Sequence, residues 1–97
     1  MHPDTKLLPT AHALQRWNER FPFEDLLTHW ATAIPCGKKM RARIKKTCPR
    51  YTRFVTASVP YVYLFDRYAP NVVFVTKPVA AGRFLLITVL DLAGVVK

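Results

Sequence analysis

The feature that most constrains the fold is a pair of short segments, residues 72–75 and 84–87, in which every side chain is apolar. A strand with apolar side chains on both faces has to be covered on both faces, so these segments predict central strands at 71–76 and 83–91. The connection between them, Ala80-Ala81-Gly82, is typical of a turn. Because this connection is short, we expect the two strands to pair antiparallel.

The N-terminal third of the chain has helical periodicity instead. Residues 1–9 contain two prolines and no periodic pattern, which indicates an N-terminal arm. Thr10 is a suitable N-cap for a helix that ends near Phe21. The apolar stripe of this helix consists of Leu14, Trp17 and Phe21. A second helix is predicted from Pro22 onward, and its apolar face consists of Phe23, Leu26, Leu27, Trp30 and Ile34.

Between residues 40 and 46, apolar side chains alternate with cations, and this pattern predicts a strand. A helix is the competing interpretation, because Met40 and Ile44 are also one helical turn apart. Further strands are predicted at 51–57 and 61–66, where β-branched and aromatic residues are frequent.

These elements predict a single domain over residues 1–97. We expect an α+β fold in which two N-terminal helices pack on one face of a four- to five-stranded, mainly antiparallel sheet. The arm spans 1–9, the helical part 10–35 and the sheet 38–92. The predicted core includes Trp17, Leu26, Trp30, Val73, Phe74 and Ile87.

The chain is strongly basic, with 15 Lys and Arg against six Asp and Glu and a net charge of +9. Eight cations fall within residues 38–53, with no acidic residue among them: Lys38, Lys39, Arg41, Arg43, Lys45, Lys46, Arg50 and Arg53. A polyanion would relieve their mutual repulsion, and nucleic acid, above all RNA, is the expected partner. An acidic protein is the alternative, whereas a membrane surface is disfavoured because no amphipathic anchor accompanies the cations.

Two tyrosines near this basic segment are candidates for stacking on unpaired bases. Tyr61 and Tyr63 lie on one face of the strand predicted at 61–66. Exposed rings on a sheet can stack on bases, so both residues are assigned to the predicted RNA-binding set. The alternative, in which these rings belong to the core, is left open by the pattern.

A polar stripe lies opposite the apolar stripe of the first helix. His12, Arg16 and Arg20 are spaced i, i+4 and i+8, so that they share one face. A histidine can transfer protons near neutral pH, and a guanidinium can hold a phosphate through two hydrogen bonds. The alternative is a solvated helix face with a Glu19–Arg16 pair.

The segment from His12 to Arg20 resembles the opening helix of small toxin-like proteins of the BECR superfamily, the barnase–EndoU–colicin–RelE nucleases. The shared residues are His12-Ala13, Arg16 and Glu19-Arg20, together with Thr88-Val89 in the last strand. The resemblance implies a metal-independent endoribonuclease toxin that cleaves RNA by attack of the 2′-hydroxyl. It also implies catalytic roles for His12, Arg16, Arg20 and Thr88.

Thr88 also stands out by itself, as the only polar residue in the segment 84–90. A hydroxyl at this position either donates to a phosphate oxygen or is buried and bonded to backbone.

The chain as a whole is expected to be a ribonuclease. The alternative is a non-enzymatic basic protein that binds nucleic acid, or a phage-like inhibitor of an acidic host protein. An acidic antitoxin is a further partner that a toxin would require.

No metal or organic cofactor is expected. The two cysteines and three histidines have none of the spacings typical of structural zinc sites. The first residues lack the features of a signal peptide, and no apolar run reaches the length of a membrane span. We therefore expect a cytoplasmic protein with reduced thiols that does not bind membranes.

Overall fold

A computed structural model describes residues 6–47 and 62–93. The elements in chain order are β1 (Lys6–Pro9), α1 (Ala11–Arg20), α2 (Leu26–Ala31), β2 (Ala33–Pro35), α3 (Lys38–Thr47), β3 (Val62–Asp66), β4 (Ala69–Ala80) and β5 (Arg83–Asp91). The five strands form one sheet in the order β1-β5-β4-β3-β2. Strand β1 pairs with β5 in parallel, and the other neighbours are antiparallel. The predicted α+β class with a five-stranded, mainly antiparallel sheet is confirmed.

The sheet is covered on both faces. Helices α1 and α2 place Trp17 and Trp30 against Phe74 of β4, so the two N-terminal helices pack on one face as predicted. On the opposite face, Ile44 of α3 packs with Val73 and Val75 of the same strand. Residues 72–75 of β4 therefore alternate between two cores, the first beneath α1 and α2 and the second beneath α3. This alternation explains why all four of these residues are apolar.

The hairpin that joins β4 to β5 forms as expected. Strand β5 spans the predicted residues, and the turn between the two strands contains Gly82 at φ 68°, a left-handed conformation that glycine adopts without strain. Strand β4 extends beyond its predicted limits at both ends and reaches Ala80. Both strands lie inside the sheet, as their double apolar faces predicted.

The strand predicted at 40–46 is wrong, because this segment is helix α3. The burial of this segment follows the helical spacing of Met40 and Ile44. Ile44 is fully buried and Met40 is partly buried, whereas Ala42 is exposed. A strand would have buried Ala42 together with the other two. Lysine and arginine are also good helix formers, so the local preference of the segment agrees with its packing.

Two boundaries near the N-terminus also differ from expectation. Residues 6–9 of the predicted arm form β1, because their backbone pairs with the free edge of β5. The second helix is shorter than predicted, and Ala33–Pro35 at its predicted end pairs with β3 as strand β2. The predicted strand at 51–57 lies outside the described residues.

Most of the predicted core is confirmed. Trp17, Leu26, Trp30, Val73 and Phe74 are buried, and Ile87 is partly buried against the second core. Three side chains assigned to buried helix faces are instead exposed, namely Leu14, Phe23 and Leu27. Phe23 is 98% exposed because it lies in the turn between α1 and α2 rather than on a helix.

Candidate nucleic-acid interface

Helix α3 carries six cations on its exposed surface: Lys38, Lys39, Arg41, Arg43, Lys45 and Lys46. At 3.6 residues per turn, Met40 and Ile44 define the side that faces the sheet. The cations occupy the remaining directions, so the side of the helix that faces solvent is continuously basic. The predicted strand would have placed Arg41, Arg43 and Lys45 on one face, whereas the helix distributes the six cations around its exposed side.

Among residues 6–47 and 62–93, no ion pair joins a carboxylate to these cations of α3. Three of the acidic side chains pair elsewhere: Glu19 with Arg16, and Glu24 and Asp66 with His29. The first turn of α3 contains no acidic residue that would balance Lys38 and Lys39 at the positive end of the helix dipole.

An open groove runs beside the N-terminal half of α3. Its volume is about 510 Å³, and it is lined by Gly37, Lys38, Lys39, Met40, Arg43 and Phe65. Two of the lining residues, Met40 and Phe65, are apolar and also pack against the second core. Three others are cations. The groove thus combines apolar and cationic lining residues, a combination that suits amphipathic anions.

The other members of the predicted RNA-binding set are not residues of α3. Arg50, Arg53 and Tyr61 lie outside the described residues. Tyr63 is only 4% exposed and belongs to the core under α3, so its ring cannot stack on a base as the sequence suggested. Phe65, two residues further on the same face of β3, lines the groove instead. The alternation that singled out Tyr63 was the signal that could have found Phe65.

The polar stripe of α1 is only partly free. His12 is exposed in the first turn of the helix. The Nη1 atom of Arg16 donates to both carboxylate oxygens of Glu19, at 2.7 and 2.9 Å. The Nη1 atom of Arg20 donates to the backbone carbonyl of Val89 at 2.5 Å, which ties the end of α1 to β5. Of the three, His12 is the most exposed, and no side-chain hydrogen bond or ion pair joins it to the other described residues.

Thr88 is not brought together with this stripe. It pairs with Val75, and directly opposed residues of an antiparallel pair point to the same side of the sheet. Val75 belongs to the core beneath α3, whereas α1 packs on the other face. Thr88 is buried, and its Oγ1 has no hydrogen-bond partner among the described residues. The hydroxyl therefore faces away from His12, Arg16 and Arg20.

A partly buried network that the sequence did not indicate centres on His29. Its Nδ1 lies 2.5 Å from Oδ2 of Asp66, and its Nε2 lies 2.9 Å from Oε1 of Glu24. Asp66 also accepts hydrogen bonds from the Thr32 hydroxyl at 2.5 Å and from the Tyr68 N–H at 3.0 Å. No local spacing predicts this cluster, because Asp66 is 37 residues from the histidine.

The two central groups of this network stabilise each other's charged forms. Burial alone would lower the pKa of His29, but its hydrogen bonds to Asp66 and Glu24 outweigh burial and raise that pKa. Burial likewise favours the neutral form of Asp66, but hydrogen bonds from Thr32, His29 and Tyr68 hold the pKa of its carboxyl below the usual value. Both ring nitrogens of His29 are hydrogen-bonded to carboxylates, one of them Asp66 of β3. The network therefore joins α2 to β3, and neither ring nitrogen is free to act as an acid or base.

Cys36 lies just before α3 and is buried. Burial raises the pKa of its thiol to about 12, although the nearby Arg41 opposes this effect. At neutral pH this thiol is therefore protonated and weakly nucleophilic. The described residues contain no cluster of three or more His, Cys, Asp and Glu side chains that could hold a metal ion.

No helix within 6–47 and 62–93 is long and apolar enough to cross a bilayer. Comparison of the chain with protein-family models, with curated proteins and with solved structures gives no match. The function is therefore inferred from the residues and their geometry.

Proposed function

We propose that the protein binds RNA through the solvent-facing surface of α3. The observation that supports this proposal is the set of six cations on one helix, none of which pairs with a carboxylate among the described residues. Lysine and arginine side chains neutralise phosphates and release condensed counterions, a contribution that does not depend on base sequence. We propose RNA rather than DNA as the partner because the α1 segment resembles the opening helix of ribonucleases.

Although lysine and arginine are good helix formers and Lys45 and Lys46 suit the C-terminal end of the helix dipole, other charges of α3 disfavour the helix. Lys39 and Arg43 are spaced i, i+4, as are Arg41 and Lys45, and each such like-charge pair destabilises a helix by about 0.2–0.5 kcal/mol. The cations of the first turn also oppose the helix dipole. A phosphate backbone would convert both unfavourable terms into favourable ones, so a polyanion partner accounts for a pattern that stability alone disfavours.

The experiment that tests the proposal replaces three of these cations, as Arg41→Ala, Arg43→Ala and Lys45→Ala in one protein. Alanine is the best helix former, so α3 should be retained. Loss of three phosphate contacts to single-stranded RNA should weaken binding by about 100-fold at 0.1 M salt, since each contributes a slope near 0.7 in log K. Fluorescence anisotropy with a labelled oligonucleotide measures the change.

A matched control separates the position of the charges from their number. Lys6, Lys77 and Arg83 are exposed on β1, β4 and β5, and their replacement by alanine removes the same net charge. The proposal requires this variant to bind nearly as tightly as the wild type. Equal losses in both triple variants would contradict an interface on α3. Absence of RNA binding by the wild type would turn attention to an acidic protein partner.

Cleavage of RNA is a second proposal, supported by the exposure of His12 one turn before Arg16 on α1. Because α1 and α3 cover opposite faces of the sheet, it requires an RNA strand that continues from α3 around the sheet to α1. A neutral imidazole in this position could accept the proton of a 2′-hydroxyl, and the guanidinium would meet charge that develops on the phosphate. Arg16 would first have to release Glu19 in order to bind the phosphate. This change costs little free energy, because an exposed ion pair contributes only about 0–1 kcal/mol to stability.

A further inference from the structure

The groove beside α3 contains a feature that phosphate binding alone does not require. Besides the cations Lys38, Lys39 and Arg43, it is lined by the apolar residues Phe65 and Met40. We propose that this groove holds one unpaired nucleobase of a single-stranded RNA. The base stacks on Phe65 while the adjoining phosphates lie against the cations. This inference rests on the proposed function and deepens it, because it names single strands as the target.

The position of Phe65 suits this role. It is only partly buried on β3, where one side of the residue packs into the core with Ile44 and Val73, so the ring is held in place. A ring held by its packing loses little conformational freedom when a ligand stacks on it. At about 510 Å³, the groove is within the usual size range of small-molecule sites and can hold a single base with room for its sugar.

Charge complementarity selects a nucleotide over a neutral apolar ligand. Of the residues that the structure describes, three cations and no acidic side chain line the groove. The π-face of any base can stack on an aromatic ring, whereas the bases of a duplex hide their faces against one another. A double-stranded segment could therefore contact the cations of α3 but could not fill the groove.

The test compares three probes of equal length, about 12 nucleotides, which falls within the site sizes common for single strands. The first is oligouridine, the second is the same backbone with abasic residues, and the third is an RNA duplex. Stacking of one base should make the wild type bind oligouridine about 5- to 100-fold more tightly than the abasic strand. The duplex should resemble the abasic strand rather than oligouridine.

Phe65→Leu removes the ring but keeps an apolar side chain against the core, and its fold is verified by thermal melting. This variant should lose the preference for oligouridine while its affinity for the abasic strand stays unchanged. Phe65→Tyr keeps a ring and should retain the preference. Wild-type protein that binds the abasic strand as tightly as oligouridine, or a Phe65→Leu variant that keeps the preference, would overturn the groove proposal.

The failure of this inference is distinguishable from failure of RNA binding itself. If the groove is empty but α3 is the interface, the wild type binds all three probes equally and the triple variant of α3 loses all three. If the protein does not bind RNA, none of the probes binds at any salt concentration.

Discussion

The imidazole of His29 and the carboxylate of Asp66 are joined by a 2.5 Å contact that links α2 to β3 across the edge of the first core. Asp66 is 3% exposed, yet hydrogen bonds from three partners, Thr32, His29 and Tyr68, hold it ionised, and His29 also contributes its charge. A buried carboxylate is costly unless it is paired and hydrogen-bonded. The geometry therefore gives His29 a structural role, and it predicts how stability depends on pH.

The pH dependence follows from the directions of the two shifts. Because folding raises the pKa of His29, its contribution is complete below the unfolded value, about 6.5, and is lost as pH rises through the folded pKa. Because folding lowers the pKa of Asp66, its contribution is present above about 3.9 and is lost as pH falls through the folded pKa. The pair should stabilise the fold most between these two values.

Urea unfolding of the wild type and of His29→Ala measures this effect. The variant should be less stable by about 1–3 kcal/mol near pH 6, because Asp66 is left buried without its partner. The difference should shrink as the pH is raised above neutrality and through the raised pKa of His29 in the folded protein, where the histidine loses its charge. His12→Ala, which removes an exposed histidine, is the control and should leave stability unchanged. A constant difference across this range would contradict the assignment.

Arg20 is expected to act as an anchor rather than as a phosphate ligand. Its hydrogen bond to the carbonyl of Val89 involves a charged donor, and such bonds contribute about 1.5–3 kcal/mol. Arg20→Ala should therefore lower the free energy of unfolding by about that amount. Arg16→Ala on the same helix removes only an exposed pair with Glu19 and should cost less than about 1 kcal/mol. Equal losses for the two variants, measured by chemical denaturation, would refute the distinction.

The catalytic proposal has its own measurement. In EDTA, the wild type should cleave RNA and leave 2′,3′-cyclic phosphate ends, and His12→Ala should slow cleavage by about 10²–10⁴-fold. The substitution removes an exposed side chain, so far-UV circular dichroism and melting should not change. Full activity in this variant would exclude His12 as the acid–base group. RNA binding without cleavage by the wild type would leave the protein a binding protein.

The sequence predicted the parts of the fold that depend on local pattern. The apolar faces of residues 83–91 and the turn at Gly82 agree with the structure, because burial on both sides leaves few alternatives. The segment at 40–46 was ambiguous between two periods. There the decisive fact was that Ile44 has a second core to enter, which is a tertiary property.

In the candidate site, too, some features could be predicted from the sequence and others depend on tertiary structure. The cations of α3 were identified from composition, and the change from strand to helix only altered how they are arranged. The burial of Tyr63 and the groove position of Phe65 depend on how α3 covers the sheet, which no local pattern specifies. The His29–Asp66 contact joins residues far apart in the chain, and sequence spacing carries no signal for it.

The salt dependence of RNA binding tests the central claim most directly. For the wild type, the logarithm of the association constant for single-stranded RNA should fall steeply and linearly with the logarithm of salt concentration. The variant with Arg41, Arg43 and Lys45 replaced by alanine should show a slope shallower by about 2, because three phosphate contacts are lost at about 0.7 each. The same slope in the wild type and in this variant would contradict RNA binding through α3.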